Sequence, residues 1–339
     1  MNHPIVFADF HHSSLFNSLR ILIEERLGGT LVRPIGMQWY DMGYWNYTSN
    51  NDRHVIEQFL SGYVNEVLID GGNDDYIEVQ ELFHGYIQKC VTFNQFLKMD
   101  IDIIMPTVKN HEELFAKLIS DHKPNAKMIR QEGNNDFEIN PICKNVMSSV
   151  PPNGIKIPDG TNIIYYHQEF DTNLFVYTPM KNFKRITNMM NCLPQWESHQ
   201  DWLKLKELLP EYEFKMHGIL GDDGNIDRVN GVAEAIKDST FIFQLKQGEN
   251  GGGHLTHNAM AIGRPLICKR SYFKYLFDKG VLEHGVTCVD LEDETKIDIN
   301  SLDAFEVEEM GKELNRRWLT LVNFDDEVNK IKDFMGRLI

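Results

Sequence analysis

The sequence has no long apolar run, no paired cysteines and a shortage of positive charge. No apolar run approaches the ~20 residues that a membrane-spanning helix needs, which disfavours an integral membrane protein. The start, MNHPIVFADF, lacks the basic segment followed by an apolar segment that is typical of a secretory leader. The five cysteines are scattered without a CxxC pair, so we expect reduced, mostly buried thiols rather than a metal or disulfide set. Together these absences predict a cytoplasmic protein.

The net charge and the composition further limit the class of protein and the number of domains. The 50 acidic and 34 basic residues give a formal net charge of −16, which disfavours a broad nucleic-acid-coating surface but allows a local basic cleft. The sequence shows no repeat of solenoid length and no low-complexity tract. With 42% apolar and 25% charged residues, the composition is that of an ordinary globular protein. Because one core rarely grows beyond roughly 250 to 300 residues, the chain of 339 residues predicts two domains.

Short apolar runs alternate with amphipathic stretches along the first half of the chain. Residues 5–10 have a buried-strand pattern, and the stretch SSLFNSLRILIEERL that follows has apolar residues at helical spacing up to Gly28. Further strand patterns are EVLID at 66–70, IDIIMP at 101–106 and AKMIRQ at 126–131, with a helical HEELFAKLISDH between the last two. This alternation predicts a parallel sheet covered by helices.

A second alternating series follows the stretch SSVPPNGIKIPDGTN, whose Pro, Gly and Asn content favours a linker or domain edge. Its strand patterns are KRITNMM, YEFKMHG, TFIFQLK, RPLICK and GVTCVDL, and two charged amphipathic helices end the chain. We therefore predict an N-terminal Rossmann-like acceptor domain at 1–165 and a C-terminal Rossmann-like donor domain at 166–317. The final helix, at about 318–339, is expected to pack back on the first domain, and ligands are expected in the cleft between the domains.

Three consecutive glycines lie between an apolar run and a short helical pattern in KQGENGGGHLTHNAMAIGRPLI, residues 246–267. The unpaired N–H groups of a helix start attract anions, and glycine permits a close approach that a Cβ would block. Lys246, His254 and His257 could add positive charge. A flexible turn is the alternative for an arbitrary triple glycine, but a strand before it and a helix after it favour a phosphate site.

Residues 250–267, NGGGHLTHNAMAIGRPLI, resemble the donor-site segment of GT-B-fold glycosyltransferases, particularly the retaining family-4-like branch. That family's pattern is Glu-Gly-x-Gly, four residues, then Glu-Ala-Met-Ala-x-Gly-x-Pro. The resemblance is sharp over about twenty residues and looser elsewhere. It implies an α/β fold of GT-B architecture, with two Rossmann-like domains whose parallel sheets face each other across a cleft. It also implies a hexosyltransferase that moves a sugar from a UDP-sugar to an acceptor hydroxyl with retention, without a metal or other cofactor.

The resemblance also suggests which residues hold the donor. Gly251 and Gly253 take the glycine positions that hold the diphosphate, while Asn250 and Asn258 stand where the family has glutamates. Asn258 can accept a ribose hydroxyl through its amide oxygen, without the charge assistance of a carboxylate. The predicted donor-binding residues are Lys246, Asn250, Gly251, Gly252, Gly253, His254 and Asn258. The family's basic pair after the first donor-domain strand is missing, so Lys246, a histidine, or Arg130 and Lys127 would balance the diphosphate charge.

Candidate catalytic residues lie in FADFHHSSLFNSL, at the junction of the first strand and first helix. A histidine there has a reference pKa near ~6.5, so His12 or His11 could deprotonate an acceptor hydroxyl or bind a donor phosphate. A histidine that simply bonds to the loop is the alternative. Glu249, next to Asn250, is a third catalytic candidate. Ser14 is predicted to cap the helix. The stretch HEELF departs from the zinc-binding HExxH pattern.

An acceptor site is predicted from aromatic and amide residues. Rings of Trp39, Tyr40, Tyr44 and Trp45 could stack on sugars or bases, or pack beneath a loop. Gln131 and Asn134, which follow a strand, could bind sugar hydroxyls. Asp222 and Asp223 are predicted to decorate a turn rather than to bind a metal.

Three other functions fit the same sequence. A sugar-nucleotide epimerase of this fold would turn over donor without acceptor. A viral-type DNA-base glycosyltransferase would bind a flipped, hydroxymethylated base with the aromatic residues at 39–45. A non-catalytic sugar-nucleotide-binding module would explain the missing glutamates and basic pair. The sequence leaves open the sugar, the nucleotide base, the oligomeric state and the acceptor, which could be a saccharide, a small molecule or modified DNA.

Overall fold

The computed structural model describes residues 3–9, 13–35, 59, 75–133, 138–149, 156–168, 171–245, 253–295 and 297–339. The chain divides into two compact units. Unit 1 comprises Met1–Glu169 and Phe324–Ile339, and unit 2 comprises Phe170–Asn323. The strand predicted at 66–70 lies outside the described residues.

The main sheet of unit 1 has the strand order β3-β4-β2-β1-β5-β6. Its strands are β1 (Ile5–Ala8), β2 (Thr30–Pro34), β3 (Ile77–Gln80), β4 (Ile87–Val91), β5 (Ile103–Met105) and β6 (Lys127–Met128). Neighbouring strands are parallel except β3, which pairs antiparallel with β4. A second, parallel sheet contains β7 (Arg130–Glu132), β8 (Asn145–Ser148) and β9 (Asn162–Tyr165). The sequence did not predict the β3–β4 hairpin.

The helices of unit 1 cover a core centred on Phe7 of β1. They include α1 (Ser13–Arg20), which continues as a π-helical segment (Ile21–Arg26), α2 (Phe93–Lys98) and α3 (Glu112–His122). The Phe7 ring lies 4.7 Å from Phe96, 5.6 Å from Phe59 and 5.7 Å from Phe115, measured between ring centroids. Burial on both faces explains why β1 is a continuous apolar run rather than an alternating one.

Unit 2 is a five-stranded, all-parallel sheet with the order β11-β10-β12-β13-β14. Its strands are β10 (Arg185–Asn188), β11 (Glu213–Met216), β12 (Phe241–Phe243), β13 (Leu266–Cys268) and β14 (Cys288–Asp290). The helices of this unit are α4 (Ser198–Leu208), α5 (Val229–Lys237), α6 (His254–Ile262), α7 (Lys274–Asp278) and α8 (Ala304–Leu321). The last helix, α9 (Phe324–Gly336), belongs to unit 1. The prediction of parallel α/β sheets is thus confirmed in both units.

The Gly-Arg-Pro stretch that follows α6 has a structural explanation. Gly263 ends α6 with a left-handed φ of 81°, and Gly311 of α8 approaches it so closely that a Cβ at 311 would collide with the Gly263 carbonyl. Arg264 is fully buried and donates to Lys237 O at 2.7 Å and Thr178 O at 2.8 Å. It thereby binds the carbonyl group at the end of α5, where a helix concentrates partial negative charge.

Each sheet has a switch point, where the order in which successive strands are added to the sheet reverses. In unit 1, β1 pairs with β2 on one side and β5 on the other, and in unit 2, β10 pairs with β11 and β12. Parallel α/β sheets bind ligands beyond the carboxyl ends of the strands at such switch points. We therefore expect ligand-binding residues directly after β1, β5, β10 and β12. None of the helices described here combines the length and apolarity required to cross a membrane.

Candidate functional site

The start of α6 in unit 2 is the first candidate binding surface. Gly253 precedes the helix in an extended conformation, with φ 167° and ψ 162°, and no side chain caps the helix there. A Cβ built on Gly253 would meet no atom of the described residues within 4 Å. Neither the backbone conformation nor the packing therefore requires glycine at this position. The missing side chain instead leaves the N–H groups of the first turn open to a ligand, and their dipoles favour an anion.

Asn258, one turn further along α6, carries a buried acceptor. The residue is 6% exposed, and its amide oxygen has no hydrogen-bond partner among the described residues. An unpaired buried acceptor costs about 1–3 kcal/mol, so such a group is normally matched by a partner. A ligand hydroxyl or N–H group that donates to this oxygen would supply one.

His257 does not add the positive charge expected from the sequence. The indole N–H of Trp318 on α8 donates to Nδ1 of His257 at 3.0 Å, and His257 is buried. Since Nδ1 accepts this bond, the proton of the neutral ring is on Nε2 and the ring is uncharged. His254 is half-buried in the first turn of α6. Lys246, Glu249, Asn250, Gly251 and Gly252 lie outside the described residues.

The end of β12, at the switch point of unit 2, contains a polar residue that the sequence analysis did not identify. Gln244 is 4% exposed, and its Oε1 is buried without a hydrogen-bond partner. The hydroxyl of Ser198 in α4 donates to Leu245 O at 2.7 Å and fixes the chain beyond the strand. Gln244 was missed because it stands inside an apolar run, where its polarity carries no periodic signal.

The switch point of unit 1 contains a buried Asp–His pair. Nδ1 of His111 lies 2.6 Å from Oδ2 of Asp9, and both side chains are fully buried. The backbone N–H groups of Thr107 and Val108 also donate to the Asp9 carboxylate. Burial alone raises the pKa of Asp9, but the hydrogen bonds from His111 and Thr107 outweigh it and lower the pKa. Nδ1 of His111 therefore donates to an ionised carboxylate.

His111 belongs to the HEELF stretch, which the sequence analysis excluded only as a zinc motif. Its Nε2 is buried and has no hydrogen-bond partner within the described part of the chain. An imidazole held by a carboxylate can accept a proton at Nε2, so the pair is chemically suited to binding or deprotonating a hydroxyl. His11 and His12 lie outside the described residues. Ser14, predicted as a cap, lies inside the first turn of α1, and its Oγ is 3.3 Å from Nε2 of His84.

Arg130 is not available to balance a diphosphate. It is 1% exposed, with Nε 3.1 Å from Glu112 and a terminal nitrogen 3.0 Å from Glu132. Two buried carboxylates already compensate the guanidinium charge, so this suggestion from the sequence is wrong for Arg130. Lys127, the other residue suggested, is exposed at the start of β6.

Gln131 lies in β7, and its side chain is fully buried in unit 1. Its Nε2 donates to the hydroxyl of Tyr166 at 3.1 Å, and its Oε1 is buried without a partner. The other predicted acceptor residues, Trp39, Tyr40, Tyr44, Trp45 and Asn134, lie outside the described residues.

The acidic pair Asp222 and Asp223 follows β11. Asp223 accepts from Met216 N at 2.7 Å and from Lys215 at 3.1 Å, as a turn residue would. Among the residues with described positions, no group of three or more His, Cys, Asp or Glu side chains is arranged to bind a metal ion.

Solved structures with a similar fold include a glycosyltransferase and proteins in complex with UDP. HepE of Anabaena, in complex with UDP and glucose, superposes with a TM-score of 0.63 at 9% identity, covering 98% of this chain and 99% of HepE. A glycosyltransferase from Rickettsia africae gives 0.59 at 10% identity, covering 100% and 99%. Sucrose-phosphate synthase from Thermosynechococcus elongatus gives 0.59 at 12% identity, covering 99% of both chains. The sequence matches no protein-family model and no curated protein. The chain therefore has the α/β fold of GT-B glycosyltransferases that its sequence predicts.

Proposed function

We propose that the protein is a glycosyltransferase that moves a sugar from a nucleotide-sugar donor, a UDP-hexose, to an acceptor hydroxyl with retention of configuration. The observation that carries this proposal is the uncapped start of α6, where a Cβ on Gly253 would meet none of the described atoms within 4 Å. The ligands of a structural neighbour support the choice of donor, since HepE was solved with UDP and with UDP-glucose.

In this proposal unit 2 binds the donor. The first-turn N–H groups of α6 bind the diphosphate, and the amide oxygen of Asn258 accepts a ribose hydroxyl. Asn250, Gly251 and Gly252 of the family-like segment complete the donor site, and Lys246 and His254 add positive charge to it. Negative charge that grows on the leaving diphosphate is stabilised by the α6 dipole, so the transfer requires no metal ion.

Unit 1 binds the acceptor in this proposal. Gln131 offers a buried amide oxygen to an acceptor hydroxyl, with Asn134 and the rings of Trp39, Tyr40, Tyr44 and Trp45 contributing further contacts. His12, His11 and Glu249 are the proposed catalytic residues. The Asp9–His111 pair adds a fourth candidate, because Nε2 of His111 is buried and has no partner among the described residues.

The test is incubation of the protein with a panel of nucleotide sugars, each with and without saccharide or hydroxymethylated DNA acceptors, followed by measurement of released nucleotide. The proposal expects UDP release that an acceptor accelerates, together with a glycosylated product of unchanged anomeric configuration. Epimerised donor without an acceptor would assign the fold to an epimerase. Donor binding without release of nucleotide would identify a binding module, and either result would contradict the proposal.

A further inference from the structure

A groove in unit 2 is lined by three basic side chains and, among the described residues, by no acidic one. The basic residues are Lys279, Arg316 and Arg317, with Val281 and Leu321 as apolar lining, and we call this site the basic groove. Such a set stands out in a chain with 50 acidic and 34 basic residues. The volume of the groove is about 430 Å³, which falls within the roughly 300–1,000 Å³ of small-molecule sites.

The basic groove lies at the edge of the sheet opposite to the start of α6. Helix α7 follows β13 and α8 follows β14, and the helices of a parallel α/β sheet run antiparallel to its strands. The ends of α7 and α8 therefore lie at the amino ends of the strands. The start of α6 follows β12 and lies at the carboxyl ends. A ligand in the basic groove is thus separate from one at the start of α6.

Arg317 is held in place by three acceptors. Its Nε donates to Oε1 of Glu313 at 2.7 Å, and its Nη1 donates to Oε2 of Glu283 at 2.7 Å and to Gly280 O at 3.0 Å. Gly280 has a left-handed φ of 69°, which favours glycine at the turn that presents this carbonyl. Nη2 of Arg317 has no hydrogen-bond partner among the described residues. The guanidinium is therefore fixed with one donor group to spare.

Arg316 and Lys279 supply further donor groups. Nε and Nη2 of Arg316 both donate to Glu313, each at 2.6 Å, so its Nη1 is without a partner in the described part of the chain. Nζ of Lys279 lies 5.7 Å from the centroid of the Tyr275 ring and pairs with no described carboxylate. Nitrogens of three different basic side chains thus have N–H groups available to a ligand.

The carboxylates beside the basic groove do not cancel its charge. Hydrogen bonds from Arg316 and Arg317 lower the pKa of Glu313 to about 2, so that this carboxylate is ionised at neutral pH. Glu283 is the second carboxylate, and the two face three cations. The remaining positive charge and the spare N–H groups favour an anion with several acceptor oxygens. A phosphate group has three such oxygens and about −1.5 to −2 charge, and arginine N–H groups match its geometry.

We propose that the basic groove binds the phosphate group of a phosphate ester, at a site separate from the donor site. Lys279 and Arg316 bind the phosphate, Arg317 is presented to it by Glu313 and Gly280, and the apolar lining accommodates the organic part of the ester. A soluble ester and a phospholipid headgroup share this chemistry. The inference goes beyond sugar transfer and does not depend on it.

Lysine acetylation of the full chain reports whether the basic groove is occupied. Acetic anhydride is added in inorganic phosphate or in sodium chloride of equal ionic strength, and peptide mass spectrometry gives the rate at each lysine. At a phosphate concentration ten times the dissociation constant, about nine-tenths of the sites are filled, so Lys279 is expected to react about tenfold more slowly. Lys274 and Lys312 pair with Asp278 and Glu309 outside the groove and are expected to react equally in both salts.

Variants connect this protection to the groove. Arg316→Gln removes an exposed charged donor and is expected to raise the phosphate concentration for half-maximal protection of Lys279 by about fivefold. Lys312→Gln, one turn earlier on α8, is the matched control and is expected to leave that concentration unchanged. Gly253→Val changes the opposite edge of the sheet and is also expected to leave it unchanged.

Two further probes separate the sources of the phosphate group. Protection of Lys279 by glycerol 3-phosphate assigns the basic groove to a soluble ester. Protection only by vesicles of phosphatidylcholine with phosphatidic acid assigns it to a lipid headgroup, and both results support a phosphate site. The inference is overturned if phosphate slows Lys279 no more than Lys274 and Lys312, if sodium acetate protects Lys279 equally well, or if Arg316→Gln leaves the protection unchanged.

Discussion

Asp9 and His111, which are 102 residues apart in the chain, form a fully buried pair with 2.6 Å between Oδ2 and Nδ1. The pair joins the end of β1 to the segment after β5, the two strands that flank the switch point of unit 1. Asp9 also accepts from two backbone N–H groups of that segment. The carboxylate therefore fixes the loop geometry at the edge of the sheet where ligands of this fold class bind.

Asp9→Asn is expected to reduce the free energy of unfolding by about 3 kcal/mol, because an amide N–H would face backbone donors and the His111 ring in a buried site. Urea unfolding at neutral pH measures the change. Asp121→Asn is the matched control, since Asp121 pairs with Lys117 on the exposed face of α3. That variant is expected to unfold like the wild type. Equal stability of Asp9→Asn and wild type would contradict a structural role for the carboxylate.

Gly311→Ala is expected to destabilise unit 2 by about 3 kcal/mol, because its Cβ would collide with the Gly263 carbonyl and lie 2.9 Å from Cε of Met180. Gly253→Ala is the control, since a Cβ there meets no atom within 4 Å and the extended backbone accepts any residue. Thermal unfolding is expected to show a lowered midpoint for Gly311→Ala and an unchanged one for Gly253→Ala. A lowered midpoint for both would show that Gly253 is required for packing.

The alternation of strands and helices was predictable because buried parallel strands appear as apolar runs bounded by turn residues. The strand and the helix on either side of the glycine segment could also be predicted, since each depends on a local sequence pattern. The β3–β4 hairpin was not predicted. Its first strand, IEVQ, has two exposed residues among four and contains no continuous apolar run.

The chemistry of the candidate site was less predictable, because it depends on contacts between distant segments. His257 looked like a cation beside the glycine segment, but Trp318, 61 residues away, fixes it as a neutral acceptor. Arg130 looked like a cleft residue until its guanidinium was found between Glu112 and Glu132. Asp9 was visible in the sequence, whereas its partner His111 could only be identified from the fold.

Asn258→Leu separates stability from binding. Replacing a buried, unpartnered acceptor by an apolar group of similar size is expected to leave stability unchanged or raise it by about 1 kcal/mol. UDP affinity is expected to fall by about fivefold, the value of one neutral hydrogen bond. In wild type, 2′-deoxy-UDP or 3′-deoxy-UDP should bind correspondingly more weakly than UDP, and the variant should no longer distinguish them.

Asn188→Leu is the control for that experiment. Asn188 is also buried, but its amide donates to Phe243 O at 3.1 Å and accepts from Met190 N at 2.9 Å. Its replacement leaves both backbone groups unpaired and is expected to cost about 2 kcal/mol or more. An equal loss of stability in the two variants would contradict the assignment of Asn258 to a ligand.

His84 makes stability depend on pH. Its pKa is lowered from 6.5 to about 4 by burial and by Arg20, and Glu81 is the other charged side chain that faces its turn. As pH falls below 6.5, the unfolded chain binds a proton that the folded protein excludes, so stability is lost until pH 4, by up to about 3 kcal/mol. Urea unfolding from pH 7 to 4 should show a smaller loss for His84→Gln. Parallel curves would place the His84 ring in water.

Titration of UDP into the wild-type protein and Gly253→Val, followed by calorimetry, tests the phosphate site at the start of α6 most directly. The extended backbone of residue 253 accepts valine, and the Cβ that it adds at the proposed diphosphate site lies within 4 Å of none of the described atoms. The expected result is an affinity reduced by about tenfold or more, equivalent to at least about 1.4 kcal/mol, with an unchanged thermal midpoint. Equal UDP affinity in the two proteins, or no binding of UDP by the wild type, would contradict the account.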